Sequence, residues 1–168
     1  GASAHLEAGG FIRSKPGIEH PNLQYHFLPS VVWDHGRIMP DRHAFQAHVG
    51  PMRPTSVGEL RLQSADPRQH PIIQPNYLTT ENDVREMRDA VKLSREIFEQ
   101  PAFGPYRGAE MAPGKDIQSD DQIDAFVRQK SDSAYHPSCT CKMGVDDLAV
   151  VDAETRVHGL EALRIVDA

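Results

Sequence analysis

The sequence predicts an α+β fold: an antiparallel or mixed sheet with helices packed on one face. Three observations carry this expectation. Alternating apolar and polar residues recur in short stretches of the first half. Near residue 81 the period changes to that of a helix, and a second, well-signed helix opens at residue 120.

Residues 23–29, LQYHFLP, set Leu23, Tyr25 and Phe27 against Gln24 and His26, the alternation of a strand with one buried face. Residues 45–52 repeat it, with Phe45, Ala47 and Val49 against Gln46 and His48. Residues 58–64 place Leu60 and Leu62 on one face. Pro29, Gly36, Pro40, Gly50, Pro51, Pro54, Pro67, Pro71 and Pro75 punctuate these runs, as expected for short antiparallel strands.

From residue 81 to 100 the apolar positions are Val84, Met87, Val91, Ile97 and Phe98, one helical face interrupted at Ser94. Thr80 with Asp83 resembles a capping box, and Pro101 ends the helix. Residues 120–130 form the second helix. Ser119 and Gln122 make its capping box, Ile123, Phe126 and Val127 its stripe, and Arg128 and Lys130 face the negative end of its dipole. The Gly/Pro-rich loop between the helices is expected to be ordered only by packing. The last residues carry a turn at His158-Gly159 and an expected strand over 163–166.

At 168 residues one domain with a real core is expected. With 18 Lys and Arg against 24 Asp and Glu, a net charge of −6 argues against non-specific nucleic-acid binding. No apolar run approaches the roughly 20 residues that cross a bilayer, and the first residues lack the pattern of a signal peptide. The chain starts without Met and stops at LRIVDA, inside what reads as a strand, so a fragment of a longer protein is expected.

Residues 133–144, SAYHPSCTCKMG, hold the densest chemistry. His136, Cys139 and Cys141 are types that zinc or copper accepts, but no other cysteine exists to complete a usual structural site. A Cys-x-Cys redox pair would close a strained ring. Thiols buried as small apolar side chains are the simpler reading, and a reducing compartment fits two cysteines better than a secreted scaffold. His136 stands between Tyr135 and Pro137, whose ring biases it toward extended backbone, so its imidazole is presented from a stiff turn after a helix.

YHPSCTCKMG, followed by AVVDAETRVHGLEALRIVDA, resembles the C-terminal region of the glucose–methanol–choline (GMC) family of FAD-dependent oxidoreductases. EAGGFIRS, IQPNYL and REIFEQPAF extend the resemblance over essentially the whole chain and point to the choline-oxidising branch. Ser138-Cys139 stands where many members have a residue followed by Gly, which narrows the match to that branch. The Gly-x-Gly-x-x-Gly unit that holds the ADP half of FAD is absent, and the chain stops before the family's second flavin-facing His or Asn.

The resemblance implies that residues 1–132 are part of a substrate-binding domain. Residues 133–168 would be the active-site loop and the start of a return into the FAD-binding domain. It implies His136 as the histidine beside the flavin and His26 as a second histidine for the substrate hydroxyl. Tyr135 would belong to an aromatic cage for a quaternary ammonium, and Asp167 and Ala168 would approach the flavin. The implied activity is oxidation of choline to betaine aldehyde, toward glycine betaine. FAD would be held by the parent protein rather than by this stretch alone, which is expected to be inactive in isolation. The implied partners are choline, the remaining FAD-binding domain and a membrane electron acceptor, at a bacterial cytoplasmic or mitochondrial inner membrane. Another alcohol substrate, a metal-binding protein using His136, Cys139 and Cys141, and a non-catalytic choline-binding module remain alternatives.

Overall fold

The structure, a computed structural model, describes residues 4–6, 8–38 and 41–168, so the turn expected at Pro40 lies outside the described residues. The chain divides into two compact units. Gly1–Ser56 with Tyr77–Ser131 forms the first, and Val57–Asn76 with Asp132–Ala168 the second.

In the first unit β1 (Ala8–Ile12), β2 (Leu23–Leu28) and β3 (Gln46–Pro51) form an antiparallel sheet in the order β1-β2-β3. The alternation in 23–28 decides which face is covered. Leu23 and Tyr25, with Ile12, Ala47 and Val49, pack against Ala90, Leu93 and Ile97 of α1 (Glu81–Phe98). Leu23 is fully buried, a burial worth about 2 kcal/mol by area transfer. β1 was not signalled by alternation. Its Gly9 is required by closeness, because a Cβ there would lie 2.7 Å from the carbonyl oxygen of Tyr25. Phe27, Phe45, Phe98 and Phe103 form an aromatic cluster with centroids 5.2 to 6.4 Å apart.

The second core of this unit joins α1 to α2 (Asp120–Lys130) through Val84, Val91, Ile123 and Val127, with Leu78. Beside it, Arg88 reaches Asp124 at 2.6 Å and Asp120 at 3.0 Å, and Lys92 reaches Asp120 at 2.6 Å. Ser119 and Gln122 form the expected capping box. Thr80 does not. Its hydroxyl accepts the Asp83 N–H, but the Asp83 carboxylate does not fold back on the cap. It accepts the N–H groups of Thr55 and Ser56 and the Thr55 hydroxyl, each at 2.8 Å.

Ser94, the gap in the stripe, is polar for a reason. Its hydroxyl donates to the Ala90 carbonyl at 2.7 Å and lies 3.1 Å from the Tyr25 oxygen. The loop after α1 is held by more than packing. Arg95 donates to the carbonyls of Gly114 and Ile117 and pairs with Glu110, while Arg107 donates to the carbonyl of Phe98.

In the second unit β4 (Glu59–Arg61) and β5 (Ile72–Gln74) form an antiparallel ribbon. Leu60 and Leu62 are exposed, so the face expected to be buried is not covered. No strand forms over 163–166. Val157 donates to the Leu163 carbonyl and Ile165 to that of Thr155, leaving a single bridge between Arg156 and Arg164. The left-handed backbone of Thr155 (φ 64°) and Ala162 (φ 59°) turns the chain on either side and prevents a ladder.

Candidate active site

The loop carrying His136 follows directly from the end of α2. Ser131 closes that helix by donating its N–H to the Val127 carbonyl and then turns to extended backbone. Ser133 accepts the Tyr135 N–H at 2.9 Å, and Tyr135 itself is left-handed (φ 60°) and exposed. A non-glycine residue in that region marks a constrained turn. His136, on the following residue, is exposed and makes no hydrogen bond with a described residue. The imidazole is therefore open to a ligand rather than used to hold the fold.

The same loop meets the end of the described chain. Cys139, also left-handed (φ 69°), donates its N–H to the carbonyl of Ala168 at 2.7 Å. Around this contact lies a cleft of about 810 Å³ lined by Cys139, Cys141, Val151, Thr155, Asp167 and Ala168 among others. Lys142 on its rim is paired with Asp146 at 2.7 Å, and the neighbouring carboxylate is held below its usual range first by that hydrogen bond. His158 donates to the Gly144 carbonyl at 3.0 Å, which braces the stretch after the loop.

Cys139 is exposed and Cys141 half-buried, both as free thiols. The expectation of two buried thiols is therefore corrected. The Cys139 amide is drawn to the Ala168 carbonyl, which leaves its side chain at the cleft rather than in a core. Nor do His136, Cys139 and Cys141 gather as ligands. Among the described residues, no three His, Cys, Asp or Glu side chains are grouped to hold a metal ion.

His26 belongs to the first unit, on the sheet face opposite α1. It pairs with Gly9 on one side and His48 on the other, and Gln24, Phe11 and Gln46 share that face by register. His26 and His48 are both exposed. His48 had drawn no role from sequence. The usable signal was that both histidines occupy the polar positions of consecutive predicted strands. The His48 ring is held below the ordinary histidine value, first by partial burial and then by the charge of His26.

The described residues fit only part of an FAD. The second-unit cleft is lined by the apolar Met143, Val151, Ile165 and Val166 together with Cys139, Thr155 and Asp167. The pyrophosphate has no such cradle here. At the start of α1 and of α2 the cap positions are taken by Thr80 and by the Ser119–Gln122 box.

A family model described as GMC oxidoreductase matches residues 54–168. The chain belongs to the GMC oxidoreductase family. This GMC chain is 65% identical to the human protein named choline dehydrogenase, mitochondrial, over 170 residues that cover 100% of this chain and 29% of that one. It is 54% identical to an oxygen-dependent choline dehydrogenase of Pseudomonas putida, covering 100% of this chain and 30% of the relative. It therefore spans about three tenths of the length of these curated relatives. Among solved structures, pyridoxine 4-oxidase from Mesorbium loti superposes with a TM-score of 0.88 at 29% identity, over 98% of this chain and 33% of that one. The α+β expectation holds: the described residues form antiparallel sheets with the helices α1 and α2, and the fold superposes on that solved structure.

Proposed function

We propose that this GMC chain supplies the substrate side of an FAD-dependent oxidation of choline to betaine aldehyde. The observation that carries the reading is the 65% identity to human choline dehydrogenase over the whole chain, including the His136 loop. FAD, when bound, supplies the two-electron acceptor. The residues of this chain bind the alcohol and manage its proton.

His136 is the general acid–base in this reading. Its exposed, uncommitted imidazole can take the hydroxyl proton of the alcohol, a task to which the imidazole class is suited, since Lys stays charged and a carboxylate is too acidic. His26 is the second hydroxyl-binding histidine. Tyr135 offers an aromatic face to the quaternary ammonium, which cannot donate a hydrogen bond. Asp167 and Ala168 line the cleft proposed for the flavin ring, held to the loop through Cys139. In domain terms, residues 1–132 act as the substrate-binding part and 133–168 as the active-site loop with the return toward the flavin.

A membrane acceptor at the mitochondrial inner or bacterial cytoplasmic membrane completes the proposal. Among the described residues, no helix is long and apolar enough to cross a membrane. The test is an anaerobic absorbance titration of the purified flavoprotein. Bleaching of the oxidised-flavin bands by choline is expected. No bleaching by choline, with bleaching by another primary alcohol, overturns the choline assignment.

A further inference from the structure

The sheet face opposite α1 carries an arrangement around His48 that the proposed chemistry leaves unused. Val32 donates its backbone N–H to Oε1 of Gln46 at 2.9 Å. A backbone N–H can only donate, so the Gln46 atom facing it is the oxygen, and the other end of that amide is the NH2 group. That NH2 group meets Nε2 of His48. An amide NH2 can only donate, so His48 Nε2 must accept, and the remaining ring proton sits on Nδ1. One backbone group thus fixes the tautomer of an imidazole two bonds of the network away.

His48 stands directly opposite His26 in the β2–β3 register. Side chains at directly opposed positions have Cβ atoms about 5 Å apart, so two cationic rings there repel. Within the three strands, the other residues on this face do not alter this balance. By register β1 contributes Gly9 and Phe11, β2 contributes Gln24 and Leu28, and β3 contributes Gln46 and Gly50. Among the described residues, the three strands carry no charged side chain on this face.

We propose that His48 is a positioning residue for His26: locked by Gln46 as the Nδ1–H tautomer, it stays neutral and leaves the proton of the pair to His26. The inference rests on the proposed role of His26 at the substrate hydroxyl. It adds a reason why the ring beside that histidine stays neutral. The lowered position of His48 agrees with the geometry but is not needed for it.

The deciding variant is Gln46→Glu. A carboxylate still accepts the Val32 N–H, but its second oxygen can no longer donate, so it draws a proton onto His48 Nε2. The purified flavoprotein, unmodified and variant, is to be followed in two ways. Histidine 15N shifts report the tautomer and titration of His48, and anaerobic choline-driven flavin bleaching is recorded against pH. The expected result is the Nδ1–H tautomer in the unmodified protein and a cationic His48 in the variant. The pH profile of flavin bleaching in the variant should differ from that of the unmodified protein, because the ring opposite His26 then carries a second proton.

Gln46→Leu, which neither accepts nor donates, serves if the charged variant does not fold. It should free the tautomer and change the profile by less. An Nε2–H tautomer in the unmodified protein, or superimposable pH profiles in all three proteins, overturns the inference. Failure of choline to bleach the unmodified flavoprotein has a different signature and overturns the proposed function instead.

Discussion

Asp83, 1% exposed at the start of α1, accepts the backbone N–H of Thr55 at 2.8 Å and ties the segment after β3 to the helix. Its other oxygen accepts the Ser56 N–H, and the Thr55 hydroxyl adds a third bond. Burial pushes the carboxyl upward, but these hydrogen bonds outweigh it and hold Asp83 well below the usual carboxylate range. A carboxyl lowered by the fold stabilises it fully above its unfolded value of about 4, and that contribution is lost as pH falls toward the folded value. Asp83→Ala should cost about 3 kcal/mol, since two backbone donors lose their acceptor. Denaturant unfolding at pH 7 measures it. The difference between variant and parent should shrink steadily below about pH 4.

Tyr25 makes the complementary case at high pH. Its buried hydroxyl donates to the Ala90 carbonyl at 3.0 Å. Burial is the main cause that raises it, Glu96 adds to the rise, and the Ser94 hydrogen bond opposes them. A phenol raised by the fold stabilises it fully below its unfolded value of about 10, and the contribution falls as pH climbs through the folded value. Tyr25→Phe should cost about 1 kcal/mol at neutral pH. It should also flatten the alkaline decline in melting temperature above about pH 10. Equal alkaline slopes in the two proteins would remove Tyr25 as their cause.

These two residues show what could and could not be seen in the sequence. The face of Tyr25 was legible because alternation in 23–28 is a local signal. So was α2, whose cap, stripe and closing charges all lie within a dozen residues. Asp83 was misassigned because its partners are 27 and 28 residues away, and Thr80 offered a nearer one of the right spacing. β1 escaped because Gly9 and Gly10 have no side chains to alternate, and its pairing partners come from β2. The His136 loop stood out by composition, whereas His48 gained meaning only once the strand register placed it opposite His26.

The ion pairs between the two helices allow a test by salt. Arg88 is largely shielded and bonds Asp124 and Asp120, while Lys92 reaches the more exposed Asp120. Arg88→Met should cost about 2 kcal/mol, because it leaves the shielded Asp124 without its partner. Lys92→Met should cost under about 1 kcal/mol, and 1 M salt should erase that smaller loss first. Urea unfolding at low and high salt separates the two.

His136 is the residue on which the proposed chemistry depends most. The exposed ring touches no described residue through a hydrogen bond, so a change there leaves the packing of α2 and the cleft intact. His136→Asn keeps a polar side chain but cannot take up a proton near neutral pH. Melting temperature and flavin content should match the parent within error. The anaerobic rate of flavin bleaching by choline should fall on the order of 10²-fold or more, the usual worth of a positioned acid–base group. A parent-like rate in a folded, flavin-loaded variant would move the proton chemistry away from this loop and leave His26 as the remaining histidine to bear it.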